Sequence, residues 1–313
     1  MATSSRTEGT FPSATGLGSI YYRTWVSQRK ARGALQIVHG MAEHGERYEN
    51  FAAALNHAGY DVWAMDLAGH GQSDDPKTPG FFGQENGREN VLADIQTLTE
   101  KMRDAYPQGF PLFIFGHSMG SFFARAYCKA YNKHLAGAVF CGTSGPNPAA
   151  PAGQMLAKLI ISARGEKYVS PLLDNIAFGS YNKRFEGRTR FDWLNSDENE
   201  VDKYLEDPKC GFVFTAKGLL DLFSLLQSVS EKSWFSAMPY QFPVLLVAGE
   251  DDPVGSFGKG VELVAKRLRE AGGNRVKCRT YSGMRHEILL EPDHQQVYQD
   301  IIDWLDNTLK ADR

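Results

Sequence analysis

Apolar and polar positions along the chain follow two periods in turn. Short runs such as Ala34-Leu35-Gln36-Ile37-Val38, Asp61-Val62-Trp63-Ala64-Met65, Leu112-Phe113-Ile114-Phe115, Ala138-Val139-Phe140-Cys141 and Val244-Leu245-Leu246-Val247-Ala248 predict strands. Several are apolar at nearly every position, the pattern of strands covered on both faces. Ser19–Val26 and Val276–Tyr281 add two more, and the Ser-, Thr- and Gly-rich first 19 residues predict a loose N-terminus. Helical spacing runs over 47–58, with Tyr48, Phe51, Ala52 and Leu55 on one face and Gly59 as the stop, and over 90–106, 118–131, 259–270 and 293–309. Strands alternating with helices imply βαβ units and a mainly parallel central sheet flanked by helices, an α/β fold. Between about 144 and 240 the rhythm lapses into helical patterns without a buried strand. The expected organisation is therefore a core in 1–143 and 241–313, interrupted by an inserted helical cap at 144–240.

A length of 313 residues suits one α/β domain carrying an insertion. The net charge of -3 lacks the basic footprint of a nucleic-acid binder. Cys128, Cys141, Cys210 and Cys278 lie far apart with no C-x-x-C pair, so neither a metal site nor a disulfide framework is expected, and no cofactor is implied. No apolar run approaches the roughly 20 residues that span a bilayer, and the start lacks a signal-peptide core. The expectation is a soluble, cytoplasmic protein without a transmembrane segment; no pattern specifies its oligomeric state.

Candidate chemistry begins at Gly116-His117-Ser118-Met119-Gly120, which follows one buried strand and opens a helix. With 31 glycines and 20 serines in the chain, chance supplies about 0.2 matches to G-x-S-x-G, so the pattern needs its context. Strand–turn–helix placement provides it: such an elbow lifts a serine hydroxyl above the sheet, and small residues let strand and helix approach. The alternative is a serine capping an ordinary turn. A serine hydroxyl needs a positioned base. Three histidines lie downstream of Ser118: His134, His286 and His294. His134 ends the helix far from Ser118, and His294 begins the last helix as a surface or capping residue. His286 sits in a loop immediately after a strand, where such sheets place their sites. The carboxylate that would orient it should leave the preceding strand. Glu250-Asp251-Asp252-Pro253 offers three; Asp252 is preferred and Asp251 is the alternative, either of which would otherwise form an Asx turn before Pro253. Two backbone donors are needed for an oxyanion. Met119 N–H is one candidate, and Met41 N–H, after the turn-forming Gly40, is the other.

His39-Gly40-Met41-Ala42-Glu43-His44-x-x-Arg47-Tyr48, Asp66-x-x-Gly69-His70-Gly71-x-Ser73 and Gly116-His117-Ser118-Met119-Gly120 together resemble the monoacylglycerol lipase and lysophospholipase group of the α/β-hydrolase superfamily, catalogued with serine aminopeptidase-like hydrolases. The resemblance covers about 18–309 and extends to Phe191-Asp192-Trp193-Leu194 and Asp207-Pro208-x-Cys210-Gly211-Phe212 in the cap. It implies the α/β-hydrolase fold, Asp252 as triad acid, His286 as base and Met41 and Met119 as oxyanion donors. It also implies that Glu43 and Arg47, with Gly40, line the pocket beside them. Two departures point away from monoacylglycerol itself. Leu289 stands where those lipases carry a second histidine contacting glycerol, and His286-Glu287-Ile288-Leu289-x-Glu291 is closer to the lysophospholipase branch.

The expected function is hydrolysis of carboxylic esters of single-chain acyl lipids, a small-molecule substrate, through a Ser-His-Asp triad. The alternatives are an aminopeptidase-like amide hydrolase and a non-catalytic binding protein of the same fold. In the cap, Leu219, Leu222, Phe223, Leu226 and Val229, and Met155, Leu156, Leu159 and Ile160, form two apolar stripes. Packing on the body is the plain reading; an acyl tunnel or transient contact with a lipid interface is the alternative. Lys183, Arg184, Arg188 and Arg190 read as a solvated basic loop, with a phosphate headgroup contact as the rival reading.

Overall fold

Every strand expected from the apolar runs joins one sheet of eight in the computed structural model, which describes residues 5–73 and 78–311. The strands are β1 (Ser5–Pro12), β2 (Ser19–Val26), β3 (Gly33–Val38), β4 (Tyr60–Met65), β5 (Leu112–His117), β6 (Gly137–Cys141), β7 (Val244–Gly249) and β8 (Val276–Tyr281). Their order is β1-β2-β4-β3-β5-β6-β7-β8. The first two pairings are antiparallel and the other five parallel.

Side-chain alternation explains the continuous apolar runs. Phe113, Phe115, Val139, Cys141, Leu245 and Val247 face one layer, where α1 (Glu49–His57) and α10 (His294–Ala311) pack. Ile114, Ala138, Phe140, Val244, Leu246 and Ala248 face the other, under α2 (Gly87–Ala105), α3 (Met119–Tyr131) and α9 (Lys259–Glu270). Burying each large side chain contributes roughly 1.5–3 kcal/mol, so both layers fix the strand register. The sheet in turn fixes the loops at its strand ends.

Two local expectations need correction. From Ser5 onward, where the described residues begin, the N-terminal stretch is not loose: β1 pairs with β2 from Ser5↔Val26 to Pro12↔Ser19. Its side chains are mostly exposed and only Phe11 is buried, so main-chain pairing holds it and the apolar pattern could not reveal it. The helix expected over 47–58 divides into a 3-10 turn at Gly45–Tyr48 and α1, which ends before Gly59 at φ +88°.

The stretch 144–240 supplies α4 (Ala150–Arg164), α5 (Pro171–Phe178), α6 (Glu198–Glu206), α7 (Ala216–Ser230) and α8 (Lys232–Ala237), and no strand of the sheet. We refer to these helices as the cap. Its two apolar stripes diverge. On α7, Leu219, Leu222, Leu226 and Val229 are buried, whereas on α4 Met155 and Leu159 are 65% and 62% exposed. The basic loop is half paired from within the cap: Arg188 pairs with Asp202 at 2.6 Å and Arg190 with Asp174, while Arg184 lies over the Phe257 ring.

Arg125 of α3 ties the cap down at its start and again before its last helix. Its guanidinium donates to the Ser144 carbonyl, where the chain leaves the sheet, and to the Val229 carbonyl, where α7 ends. It also stacks on Trp234 at 4.5 Å. Complete burial lowers its pKa to about 9.

Candidate active site

Between β5 and α3 the chain reverses at Ser118, which holds φ +52° and ψ -122°. A non-glycine residue in that region is strained and persists only where its surroundings hold it. Here Ser118 N–H donates to the Cys141 carbonyl and Ser118 O accepts from Ser121 N–H and Oγ. The glycines either side are dictated by contact. A Cβ on Gly116 would stand 2.3 Å from the Gly120 carbonyl oxygen, and one on Gly120 would stand 2.1 Å from that of Val38.

Ser118 and His286 line a cavity of about 660 Å³ between the sheet's carboxyl edge and the cap, along with Gly40, Met41, Glu43 and Met119. Leu222, Phe223 and Leu226 of α7 supply part of its apolar wall. Asp252 lies behind His286, fully buried, with Oδ2 2.9 Å from His286 Nδ1. The two atoms touch without the alignment of a hydrogen bond, and His286 Nε2 has no hydrogen-bond partner. The other Asp252 oxygen accepts from Val254 N–H across Pro253, an Asx turn that aims the carboxylate. Asp251 is exposed, its N–H bonded to the Met284 carbonyl. His134 ends a 3-10 turn after α3, about 20 Å along the helix from Ser118. His294 starts α10, bonds the Glu291 carbonyl and lines no part of the cavity.

A buried charge network forms part of the cavity wall and continues behind it. Glu43 accepts from Gly40 N–H at 2.6 Å, Tyr48 O–H at 2.8 Å, His117 Nδ1 at 3.1 Å and Arg47 at 2.9 Å. Arg47 also forks onto Glu287 at 2.6 and 2.9 Å. Two carboxylates thus face one guanidinium, and the His117 ring meets Glu43 from the other side. Burial opposes ionisation of Glu43, but the His117 hydrogen bond and the Arg47 charge outweigh it and hold its pKa well below the usual carboxylate range. Burial pushes His117 down, while the Glu43 hydrogen bond and charge bring it above the ordinary imidazole value. A raised histidine contributes stability that is full below its unfolded pKa near 6.5 and lost as pH rises through its folded pKa. His117→Gln should therefore lie roughly 1.5–3 kcal/mol below the parent near pH 6. The gap should narrow toward pH 9. Thermal unfolding across that range checks this; a gap that stays constant would mean that His117 is neutral throughout.

Arg47 does not line the main cavity; it lies with Glu287 and Leu289 on a small adjacent one. The pair beside the oxyanion candidates is thus split, with Glu43 on the main wall and Arg47 behind it. Leu289 is 5% exposed.

Sequence reading missed how firmly the cap grips the His286 loop. Arg285 donates to the Asn195 carbonyl at 3.1 Å and to Glu186 at 2.8 Å, and Glu287 N–H donates to the Leu194 carbonyl at 2.8 Å. Glu291 accepts from Arg285 N–H at 2.7 Å and from both N–H and O–H of Ser196. Trp193 packs on the His286 ring at 5.1 Å and Tyr181 packs on Trp193. The neighbouring Phe191-Asp192-Trp193-Leu194 motif was the available signal.

One group among the described residues offers three metal-type ligands, His44, Asp207 and Cys210, with atoms within 4.8 Å of one another. His44 Nε2 and Asp207 Oδ2 are hydrogen-bonded at 2.8 Å, closer than the roughly 3.3 Å between two ligands of a tetrahedral zinc. None of the three lines the main cavity. No helix among the described residues is long and apolar enough to cross a membrane.

Comparison with known proteins agrees with this architecture. The chain is 26% identical over 306 residues to the monoacylglycerol lipase of Mycolicibacterium smegmatis, covering 97% of this chain and 99% of that one. It is 27% identical to the human monoglyceride lipase, covering 91% and 86%. Among solved structures, a thermostable carboxyl esterase from Bacillus coagulans, solved with glycerol, superposes with a TM-score of 0.92 at 31% identity, covering 98% of this chain and all of that one. The model of the Hydrolase_4 family, described as serine aminopeptidase S33, matches residues 29–293. With its eight-stranded, mostly parallel sheet and strained serine turn, the chain has the α/β-hydrolase fold and belongs to the Hydrolase_4 family.

Proposed function

We propose that the protein hydrolyses carboxylic esters of single-chain acyl lipids, with Ser118 as nucleophile, His286 as base and Asp252 as the acid that orients it. One observation carries the reading: the strained Ser118 and the ring of His286 share a cavity wall, with a buried carboxylate 2.9 Å behind that ring. In this mechanism Ser118 Oγ attacks the ester carbonyl as His286 Nε2 takes its proton. Imidazolium then returns the proton to the leaving alcohol, and water repeats the sequence on the acyl-enzyme. Asp252 holds the Nδ1–H tautomer and offsets the imidazolium charge without taking the proton. The Met41 and Met119 N–H groups donate to the oxyanion. Nε2 and the Ser118 hydroxyl are unbonded at rest, a looseness common before substrate binds.

The cavity volume lies within the usual range for small-molecule sites, roughly 300–1,000 Å³. Its α7 wall suits an acyl chain, and relatives carrying the name monoacylglycerol lipase support an ester of that type. An aminopeptidase would need an unpaired carboxylate for the substrate ammonium. The carboxylates on this wall, Glu43, Asp174 and Glu287, each pair with an arginine, which favours esters.

The test is labelling by a fluorophosphonate, expected in the parent and lost in Ser118→Ala. Rates on a monoacylglycerol, a lysophospholipid, short nitrophenyl esters and an aminoacyl anilide then place the substrate. A folded parent that resists the label would refute the reading, and turnover of the anilide alone would convert it to an amidase.

A further inference from the structure

The loop after β3 leaves the Met41 amide, which faces the cavity, uncommitted. Gly40 N–H donates to Glu43, Ala42 N–H donates to His70 Nε2 at 3.2 Å, and Gly45 N–H donates to Asp66 at 2.9 Å. Between the first two, the Met41 N–H finds no acceptor among the described residues. His70 is a dependable acceptor there, because burial lowers its pKa to about 3 and keeps the ring neutral.

Ala42 itself sits at φ +52°. A left-handed alanine costs about 1–2 kcal/mol, so the loop needs an external hold. The cap supplies it. The Ala42 carbonyl accepts from Tyr204 O–H and from Gly211 N–H, each at 3.0 Å. Two residues on, His44 Nε2 meets the Asp207 carboxylate at 2.8 Å. Asp207 is fixed in turn by Lys209 N–H at 2.8 Å. Three contacts from one short cap stretch, 204–211, thus seize one side of a loop whose other side is tied to the core.

We propose that Tyr204 and Asp207 are positioning residues: the 204–211 stretch clasps the loop, so that the Met41 amide is aimed at the oxyanion only while the cap is seated. The inference rests on the assignment of Met41 as an oxyanion donor. A hydrogen bond to the oxyanion matters most when charge has developed on it, so loosening the clasp weakens binding of the transition state more than of the ester. Lifting the cap therefore turns the chemistry down as well as opening the cavity.

Tyr204 lines the cavity, whereas His44 and Asp207 do not, so Asp207 gives the cleaner experiment. Asp207→Ala and the double variant Asp207→Ala/Tyr204→Phe are compared with Asp207→Asn, which retains a polar partner for His44. The readouts are kcat and KM on a nitrophenyl ester, and inhibition by an alkyl boronic acid against an unreactive ether of the same chain. Loss of a whole oxyanion donor costs about 100- to 1000-fold, so a loosened one should cost the double variant roughly 10- to 100-fold in kcat. Its KM and ether affinity should stay within about threefold, boronate affinity should fall in step with kcat, and Asp207→Asn should recover most of the loss.

Equal boronate affinity in folded parent and variants would overturn the clasp alone. So would a rise confined to KM, which would make Tyr204 a substrate contact. A parent that binds neither boronate nor fluorophosphonate would overturn the reading of Ser118, and the clasp with it.

Discussion

Asp252→Asn is expected to lower kcat for ester hydrolysis by about 10³- to 10⁴-fold, whereas Asp251→Asn should change it by less than about threefold. The contrast follows from geometry, since the residues are adjacent and chemically identical. Asp252 is buried with one oxygen against His286 Nδ1 and the other locked by Val254 N–H. An amide there can present its NH2 to the ring, which selects the tautomer with the proton on Nε2. Such an imidazole cannot take a proton from serine. Asp251 points to solvent. Steady-state rates on one nitrophenyl ester suffice to check the pair, and the opposite ranking would make Asp251 the orienting acid.

The second large effect concerns stability. Arg47→Met should destabilise the fold by about 3–5 kcal/mol, because it removes the guanidinium that two buried carboxylates share. Glu43 and Glu287 have 4% and 5% of their side chains exposed, and both depend on that guanidinium. The unfolding midpoint should drop by on the order of 5–10 °C. Replacing all three with uncharged residues, Glu43→Gln, Arg47→Met and Glu287→Gln, should return much of the loss, since isosteric neutral sets often match a buried ion network. Equal melting of the single and triple variants would show that lost packing, rather than stranded charge, dominates. Activity is expected to fall in the single variant as well, because Glu43 also holds Gly40 N–H.

These two predictions mark what a sequence can and cannot convey. Ser118 was legible because its strand, its turn glycines and its helix are contiguous, so pattern and contact coincide. His286 and Asp252 were legible as loop positions after strands; the choice between Asp252 and Asp251 was open because a turn, rather than a residue type, decides which carboxylate faces inward. The N-terminal strand was illegible: main-chain pairing and polar side-chain contacts chiefly hold it, and side chains such as Arg6, Glu8 and Thr10 carry no apolar alternation. The partners distant in sequence were hidden for another reason. Tyr204 meets Ala42 across 162 positions, and Arg47 meets Glu287 across 240. No local period encodes such distances. The hydrophobic stripe of α4 was ambiguous because helical spacing states only that residues share a face; Met155 and Leu159 turn out to look away from the body.

The grip of Arg125 on Ser144 and Val229 bears on how this lid region can change over time. The segments between those two seams that touch neither the His286 loop nor the loop after β3 are free to lengthen, shorten or be exchanged with a relative, provided that the two carbonyl oxygens and the 193–211 contacts return to the same spots. A graft that fails to restore them would leave a guanidinium marooned in a dry interior, midway along the very helix that begins beside Ser118. Substrate range can therefore drift by rebuilding the roof, while its hinges stay under the control of the floor.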